Sequence, residues 1–429
     1  MNKYIGALFI ILISVCVAVD LTPYGIKLAL TKEPQNIKVT WLTNDKGDTP
    51  TVLYSRASFT PDESSSNEFY PIHSNAGAVE SFPSLVGYWN GNANQAVMAN
   101  LTAYTTYFYY VGDREANQWS QMFNFSTRGF GRSDYASIAV YGDMGHGGVG
   151  IDRDENYTLS HIMERQGYFD FVLHLGDIAY ADITKGSHIF GNQTVWDEFL
   201  GVIQPVATIL PYMVCPGNHD VFFNLDVYRK TFYMPTDKED DSWYSFDYAG
   251  AHFVGFSSEH DYIPLSTQYN WLENNLKHYR EKNPNGWLIV YSHRPFYCSS
   301  KYQWCEDFDV FKLMFVSSLE KLLMKYNVDI YLAGHSHTYE RTLPVYDNKV
   351  LGTFQNPKAT VHITIGSGGN KEGPTYNWLE APEWSNGLRS SHTGFGKFTI
   401  LNSTTIQWDF VDNYSDSIVD SFVVTKGYF

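Results

Sequence analysis

Along residues 21–127, apolar and polar positions alternate in short runs broken by turn residues, and no stretch has a helical period. Residues 26–31 and 37–43 (IKVTWLT), then 104–112 (YTTYFYYVG) and 122–127, combine a period of two with β-branched and aromatic side chains. Such patterning predicts strands with one wet and one dry face, and a succession of them predicts an all-β sandwich over residues 21–128. The stretch 58–94 is rich in Ser, Asn, Gly and Pro and predicts long loops.

Beyond the junction GFGRSD (129–134) the pattern changes. Continuous apolar runs at 136–141, 171–175, 212–215, 253–257, 288–292, 330–333 and 361–365 are short, as strands covered on both faces should be. Between them, residues 156–166, 268–279 and 310–326 have helical spacing; in the first, Leu159, Ile162 and Met163 fall on one face. After Gly394 come three strand-like stretches, GKFTILN, TIQWDFV and VDSFVVT. Residues 134–429 therefore read as an α/β domain with a β-rich end. No repeat of solenoid period and no low-complexity tract interrupts it.

The first residues are of another kind. Lys3 precedes an apolar run, YIGALFIILISVCVAV, with small residues near Ala18, which predicts a secretory signal peptide over residues 1–18. The run falls short of the about 20 apolar residues that span a bilayer, and no later stretch approaches that length. The mature protein is expected to be soluble, without a transmembrane segment, and either secreted or delivered to an acidic vacuole or lysosome. Six Asn-x-Ser/Thr sequons, at Asn100, Asn124, Asn156, Asn192, Asn402 and Asn413, agree with an exported glycoprotein.

Composition removes several classes. With 44% hydrophobic and 18% charged residues the chain is globular, not disordered. Its 46 Asp and Glu against 30 Lys and Arg give a net charge of −16, which excludes a general nucleic-acid scaffold binder. Cys16 leaves with the signal; Cys298 and Cys305, in CSSKYQWC, are close enough for a local disulfide, and Cys215, in an apolar run, reads as a buried thiol.

Candidate chemistry sits at the ends of the predicted α/β strands. YGDMG (Asp143), LGDIAY (Asp177 and Tyr180), PGNHD (Asn218 and His219), YSHRP (His293) and AGHSH (His335 and His337) each end an apolar run in Asp, Asn or His, usually beside Gly. In α/β folds the carboxyl ends of strands form the site crevice, so these groups are aimed at one place. Two carboxylates, a phenol, an amide oxygen and three imidazoles suit Fe, Mn or Zn, and are too many for one tetrahedral ion. They match two octahedral ions that share a carboxylate and keep positions open for water and substrate. The flanking glycines let the backbone turn sharply there.

The ordered series GDMG, GDIAY, GNHD, SH and GHSH resembles that of the purple acid phosphatases, a branch of the calcineurin-like metallophosphoesterases. NLTAYTTYFYYVGD is similar to that family's fibronectin-like amino-terminal domain, so the resemblance covers almost the whole mature chain. The wider superfamily has a His two residues after the first Asp, where this chain has Gly145, and Tyr180 follows Asp177 by three. That exchange marks the purple branch. His146, one residue further on, is read as a loop residue.

The resemblance implies a fibronectin III-like sandwich followed by an α/β metallophosphoesterase domain of two mixed sheets flanked by helices. It assigns Asp143, Tyr180 and His337 to a first metal, Asp177 as the bridge, and Asn218, His293 and His335 to a second. A Tyr180 phenolate implies Fe(III) at its site, with a purple charge-transfer colour; the second ion would be divalent Fe, Zn or Mn. His219 matches a family residue that contacts phosphate and assists the leaving group. Two ions about 3.5–4 Å apart clamp a phosphate and lower the pKa of bound water, giving a metal-bound hydroxide nucleophile even in acid. The implied activity is that of an acid phosphatase acting on small phosphate monoesters. The rivals are a phosphodiesterase or nucleotide pyrophosphatase on the same metal pair, and a glycosylated, non-catalytic binding protein.

One departure bears on the leaving-group acid. Plant-type members carry additional histidines after the YSH motif, where this chain has Tyr302 and Gln303; HRPFYCS instead looks like a smaller animal and protist subgroup. His260, in the polar loop SSEHDY, is a candidate substitute, set against a solvated loop histidine. Arg294 and Arg341, which follow ligand histidines, either help hold phosphate or pair with acids. ITIGSGGNKEG (363–373) lacks the P-loop Lys-Ser spacing and reads as a loop beside the metal site. Glu239, Asp240 and Asp241 read as a solvated turn, and Tyr107–Tyr110 as strand packing.

Overall fold

The alternating runs form strands β1 (Tyr24–Leu30), β2 (Ile37–Thr43), β3 (Pro50–Ser55), β4 (His73–Ala76), β5 (Ala78–Ser81), β6 (Asn92–Met98), β7 (Thr106–Asp113), β8 (Gln118–Trp119) and β9 (Phe123–Ser126). The computed structural model describes residues 19–62, 70–82, 89–130, 135–145, 157–183, 189–306 and 309–427. The predicted signal segment, His146 and Asn156 lie outside the described residues. One sheet runs β1-β2-β6-β5 and the other β4-β3-β7-β8, with β9 also on β7. Their inner faces meet on Val39, Trp41, Val52, Tyr107, Tyr109 and Val111. The tyrosine run is thus strand packing, as its alternation predicts. Strands β4 and β5 fall in the stretch read as long loops: their sequences, HSNA and AVES, are polar and largely exposed, so they carry no apolar signal.

The second part contains β10 (Ala136–Tyr141), α1 (Tyr157–Glu164), β11 (Phe171–Leu175), α2 (Gln193–Ala207), β12 (Tyr212–Cys215), α3 (Asp226–Thr231), β13 (Tyr244–Tyr248) and β14 (Ala251–Gly255). It continues with α4 (Thr267–Lys282), β15 (Trp287–Tyr291), α5 (Val310–Lys325), β16 (Ile330–Ala333), β17 (Tyr339–Arg341), β18 (Val345–Tyr346), β19 (Lys349–Val350) and β20 (Val361–Ile365). Three long strands finish it: β21 (Gly394–Asn402), β22 (Thr405–Asp412) and β23 (Ser417–Thr425). Two six-stranded sheets result, ordered β12-β11-β10-β21-β22-β23 and β13-β14-β15-β16-β20-β17. Each is mixed. In the first, β10, β11 and β12 are parallel and β21 to β23 antiparallel; in the second, β14, β15, β16 and β20 are parallel.

The sheets pack face to face through aromatic rings. Phe171 meets Phe246 and Phe253 at 5.7 Å between centroids, and Tyr339 stacks on Phe410 at 4.1 Å. A second core, with Leu272, Leu276, Phe315 and Leu319, holds α4 and α5 against the other face of the second sheet. Both helices start where their capping residues dictate: Ser266 accepts from Tyr269 N, and Asp309 from Phe311 N and Lys312 N.

Helix α2 is not signalled by the sequence pattern, because Gly201 and Pro205 punctuate it; Pro205 lies inside the helix in its last turn, where it cannot donate the backbone bond to Gly201. It supports the sandwich. Ile26 N donates to Gln204 Oε1 at 3.0 Å, Tyr109 OH donates to Thr208 O at 2.9 Å, and the buried Trp89 stacks on Phe222 at 5.6 Å. Cys298 and Cys305 form the expected disulfide, and Cys215 is a buried free thiol. Among the sequons, Asn413 is buried with its side-chain nitrogen donating to Thr158 Oγ1 at 2.6 Å, a position incompatible with a glycan in this fold. Among the described residues no helix is long and apolar enough to cross a membrane.

Candidate metal centre

Six strand ends converge. Asp143 follows β10, Asp177 and Tyr180 follow β11, Asn218 follows β12, His293 follows β15, His335 and His337 follow β16, and Asn370 follows β20. The centre therefore lies at the carboxyl edge where both sheets meet. Asp143, Asp177, Tyr180 and His335 all have left-handed backbones, with φ of 58°, 50°, 56° and 68°. Such conformations are costly for non-glycine residues and concentrate at functional sites. The glycines serve two ends. Gly145 and Gly176 take positive φ, whereas Gly217 and Gly334 are close-approach positions where a Cβ would collide with the Asp177 and Asp143 carboxylates.

The seven predicted ligands form two adjoining groups. In one, Tyr180 OH lies 3.3 Å from Asp143 Oδ1 and 2.9 Å from His337 Nε2. In the other, His293 Nε2 lies 3.0 Å from Asp177 Oδ2, 3.1 Å from Asn218 Oδ1 and 3.1 Å from His335 Nδ1. Ligand atoms of Asp177, His293 and His335 all lie within 4.8 Å of one another. The far nitrogens fix ring orientation: His293 Nδ1 donates to Leu175 O and His337 Nδ1 to Gly373 O, both at 2.9 Å. That leaves each Nε2 facing the oxygens of the centre, the usual arrangement behind a ligating imidazole.

Electrostatics call for a cation here. Asp143 and Asp177 are fully buried. Burial raises Asp143; it opposes charge on Asp177 too, but His293 and His219 hold that carboxyl far below its ordinary value. Burial would keep His293 neutral, yet Asp177 and Asp143 push it up to about 9. Burial, then Asp143 and Asp177, push the Tyr180 phenol well above its usual range, so only a strong adjacent cation would ionise it. An oxygen-and-nitrogen donor set without thiolate, in which acceptor faces acceptor, fits Fe, Zn or Mn.

His219 sits at the edge of this set. Its backbone N donates to Asp177 Oδ1 at 2.8 Å, its ring packs against Tyr180 with centroids 4.5 Å apart, and its Nδ1 lies 2.9 Å from Asp182 Oδ2. Burial opposes its charge, but Asp177 and Asp182 raise it to about 10.

Three residues escaped sequence reasoning. Asp182 orients His219. Asp220 accepts from Ile178 N at 3.0 Å and Gly217 N at 2.8 Å, joining the loops that carry Asp177 and Asn218. Asn370 donates to Asp143 O at 2.8 Å from the glycine-rich loop, which is beside the centre as expected. The available signal was proximity in sequence: Asp182 and Asp220 lie two residues beyond Tyr180 and Asn218.

Other expectations separate. Arg294 makes a two-point pair with Glu259 (2.8 and 3.0 Å), with Nη1 3.0 Å from His335 Nε2. Arg341 is buried against Asp420, bonded to it through Nε at 2.6 Å, and is a structural pair. His260 is not a solvated loop histidine: it is half-buried, bonded to Ser257 Oγ at 2.9 Å, edge-on to Trp243, and held below its ordinary pKa by burial and then Arg229. Tyr302 lies with its ring 5.2 Å from that of His335. In the acidic turn, Glu239 and Asp240 are exposed but Asp241 is buried.

Family models agree with this geometry. The purple acid phosphatase N-terminal domain matches residues 23–127, calcineurin-like phosphoesterase matches 136–339, and the iron/zinc purple acid phosphatase-like protein C domain matches 359–421. Acid phosphatase type 7 of Danio rerio is 32% identical over 361 residues, covering 78% of this chain and 77% of that protein. The chain belongs to the purple acid phosphatase family. It is a metallophosphoesterase by family, with an N-terminal purple acid phosphatase domain followed by a calcineurin-like fold of mixed sheets. Some relatives are named otherwise: the probable inactive purple acid phosphatase 1 of Arabidopsis thaliana is 31% identical, covering 79% of this chain and 58% of that protein. The solved purple acid phosphatase PPD1 of yellow lupin, Lupinus luteus, shares the fold at a TM-score of 0.81 and 24% identity, covering 95% of this chain and 75% of that one.

Proposed function

We propose that the chain is a binuclear metal-dependent acid phosphatase that hydrolyses phosphate monoesters. Asp143, Tyr180 and His337 would hold ferric iron, Asp177 would be shared, and Asn218, His293 and His335 would hold divalent Fe, Zn or Mn. Bound there, the pair would supply positive charge for a phosphoryl group and an acidified water. The observation that carries the reading is the meeting of two buried carboxylates with the His293 and His337 Nε2 atoms and the Tyr180 hydroxyl.

This chain's other groups have definable tasks. Asp182 holds the Nδ1 proton of His219, which leaves Nε2 to face substrate and give a proton to the departing oxygen. Asn370 and Asp220 fix the loops from which Asp143, Asp177 and Asn218 project. The signal-like start and the accessible sequons support export to an acidic compartment, with residues 21–128 as one module and 134–429 as the catalytic one.

The test is turnover of p-nitrophenyl phosphate against its bis-ester by iron-loaded protein, with metal content and a visible spectrum. Two metals per chain, a visible band lost in Tyr180→Phe, and monoester preference are expected. Diester preference would replace the assignment with a phosphodiesterase. Folded protein that binds no metal would make the non-catalytic reading the better one.

A further inference from the structure

The loop closed by Cys298 and Cys305 borders two cavities. Tyr302, Gln303 and Trp304 line the cleft of the metal centre, whereas Cys298, Ser299 and Cys305 line a separate cavity of about 530 Å³. The two share no lining residue, and none of the seven predicted ligands borders the second.

The floor of this second cavity consists of buried groups whose polar atoms are already engaged. The Tyr297 hydroxyl donates to Glu320, Ser299 gives its N–H and its hydroxyl to Glu340 at 2.7 and 2.6 Å, and Trp384 packs edge-on to Tyr297 at 5.3 Å. With Phe296 and the disulfide beside them, they leave ring and sulfur surface for a ligand. The rim is mixed. Helix α5 brings Leu313, 55% exposed, and Val316; the loop that Leu379 N ties to Ser299 O at 2.8 Å brings Leu379 and Pro382.

Charge on the rim is uneven. Glu380 and Glu383 are exposed and make no ion pair among the described residues. Lys312, the cation of the wall, has its Nζ turned to Cys305 O at 3.3 Å. Asn348 is exposed at the rim, and its backbone N donates to the Tyr297 hydroxyl at 3.2 Å. A cavity of this volume with an apolar floor and a few charged groups at its edge has the build of a small-molecule site.

We infer that this cavity binds a small amphipathic cation, an aromatic or alkyl body carrying one ammonium. The body lies on Phe296, Tyr297 and Trp384, and the ammonium meets Glu380 and Glu383. Carboxylates and aromatic faces both attract a cation and both disfavour an anion, so an anion of the same shape is rejected. The inference does not depend on the phosphatase reading.

The test uses the full chain and three probes that share one fluorophore: dansylcadaverine, a cation, dansylamide, which is neutral, and dansylglycine, an anion. Binding is read at low salt from the rise in dansyl emission. The cation should bind about tenfold tighter than the anion, with the neutral probe between them. Glu380→Gln with Glu383→Gln should weaken the cation about fivefold, the scale of two exposed charge pairs, and leave dansylamide unchanged. Leu313→Ala, at an exposed side chain, should weaken cation and neutral probe alike by about threefold. Phe311→Ala, at a residue that lines the cleft and not this cavity, should change neither. Absence of cation binding, equal affinity for all three probes or preference for the anion overturns the inference. So does cation binding that is indifferent to the paired Gln substitutions and to Leu313→Ala, or that Phe311→Ala weakens instead, since the probe is then seated in the cleft.

Discussion

At the residue scale, His219 Nδ1 is committed to Asp182, at 3.0 and 2.9 Å from its two oxygens, and the ring is wedged against Tyr180. Only Nε2 remains for chemistry, 4.0 Å from Asp177 Oδ2 and 3.9 Å from Glu372 Oε2. A proton donor matters most when the departing oxyanion is basic. Asp182→Asn is therefore expected to lower kcat for an alkyl phosphate by about tenfold or more, and for p-nitrophenyl phosphate much less, since general acid catalysis contributes about 10²–10⁴-fold where it is needed. Metal content should not change. An equal loss for both substrates would show that Asp182 merely supports the fold. His219→Ala should give the same leaving-group dependence, more steeply.

At the element scale, the Cys298–Cys305 bridge closes the loop that carries Tyr302 and Trp304 to the centre. Ser300 lies inside it and shares a hydrogen bond with Ser336, between the two histidines of GHSH, at 2.8 Å. A loop of this length gives about 2–3 kcal/mol of chain-entropy stabilisation. Cys298→Ser with Cys305→Ser should cost about that much in chemical unfolding and, on the proposed function, raise KM for phosphate esters, while metal content is retained. Loss of metal binding instead would show that the bridge supports His335 and His337 directly. Strand ends were the legible part of these elements, because buried parallel strands need unbroken apolar runs and a ligand at the end of one stands out against them. The polar strands β4 and β5 and helix α2 were not legible: the first pair bury little, and α2 gains its place from the sandwich packed on it. Asp182, Asp220 and Asn370 act through loops meeting across long sequence separations, which no local pattern encodes.

At the scale of the whole molecule, the sandwich meets the α/β part through β1 and α2, and two ionisable groups are caught there. Lys27, on β1, is 2% exposed; its Nζ donates to Gly25 O at 3.0 Å and lies 5.2 Å from the Phe232 ring centre. Asp197, on α2, has Oδ1 buried with no hydrogen-bond partner. Burial pushes Lys27 down to about 7 and Asp197 up to about 6. The directions set the pH dependence. The folded chain holds the Asp197 proton more tightly than the unfolded chain, whose carboxyl titrates near 3.8, so this group favours folding increasingly as pH falls from about 6 towards 4. Lys27 is charged in both states over that range and adds no slope; its contribution recovers only as pH rises above about 7. The junction is therefore built to tolerate acid, with a local slope of at most about 1.4 kcal/mol per pH unit. Asp197→Asn should flatten the unfolding free energy between pH 4 and 6 and stabilise the protein at pH 7, where the wild type carries a half-buried carboxylate whose burial cost Gln193 and Lys27 offset only in part. Denaturant unfolding at pH 4, 5, 6 and 7 measures this. An Asp197→Asn profile parallel to wild type would place the acid sensitivity elsewhere, leaving the carboxylates of the metal centre as its source.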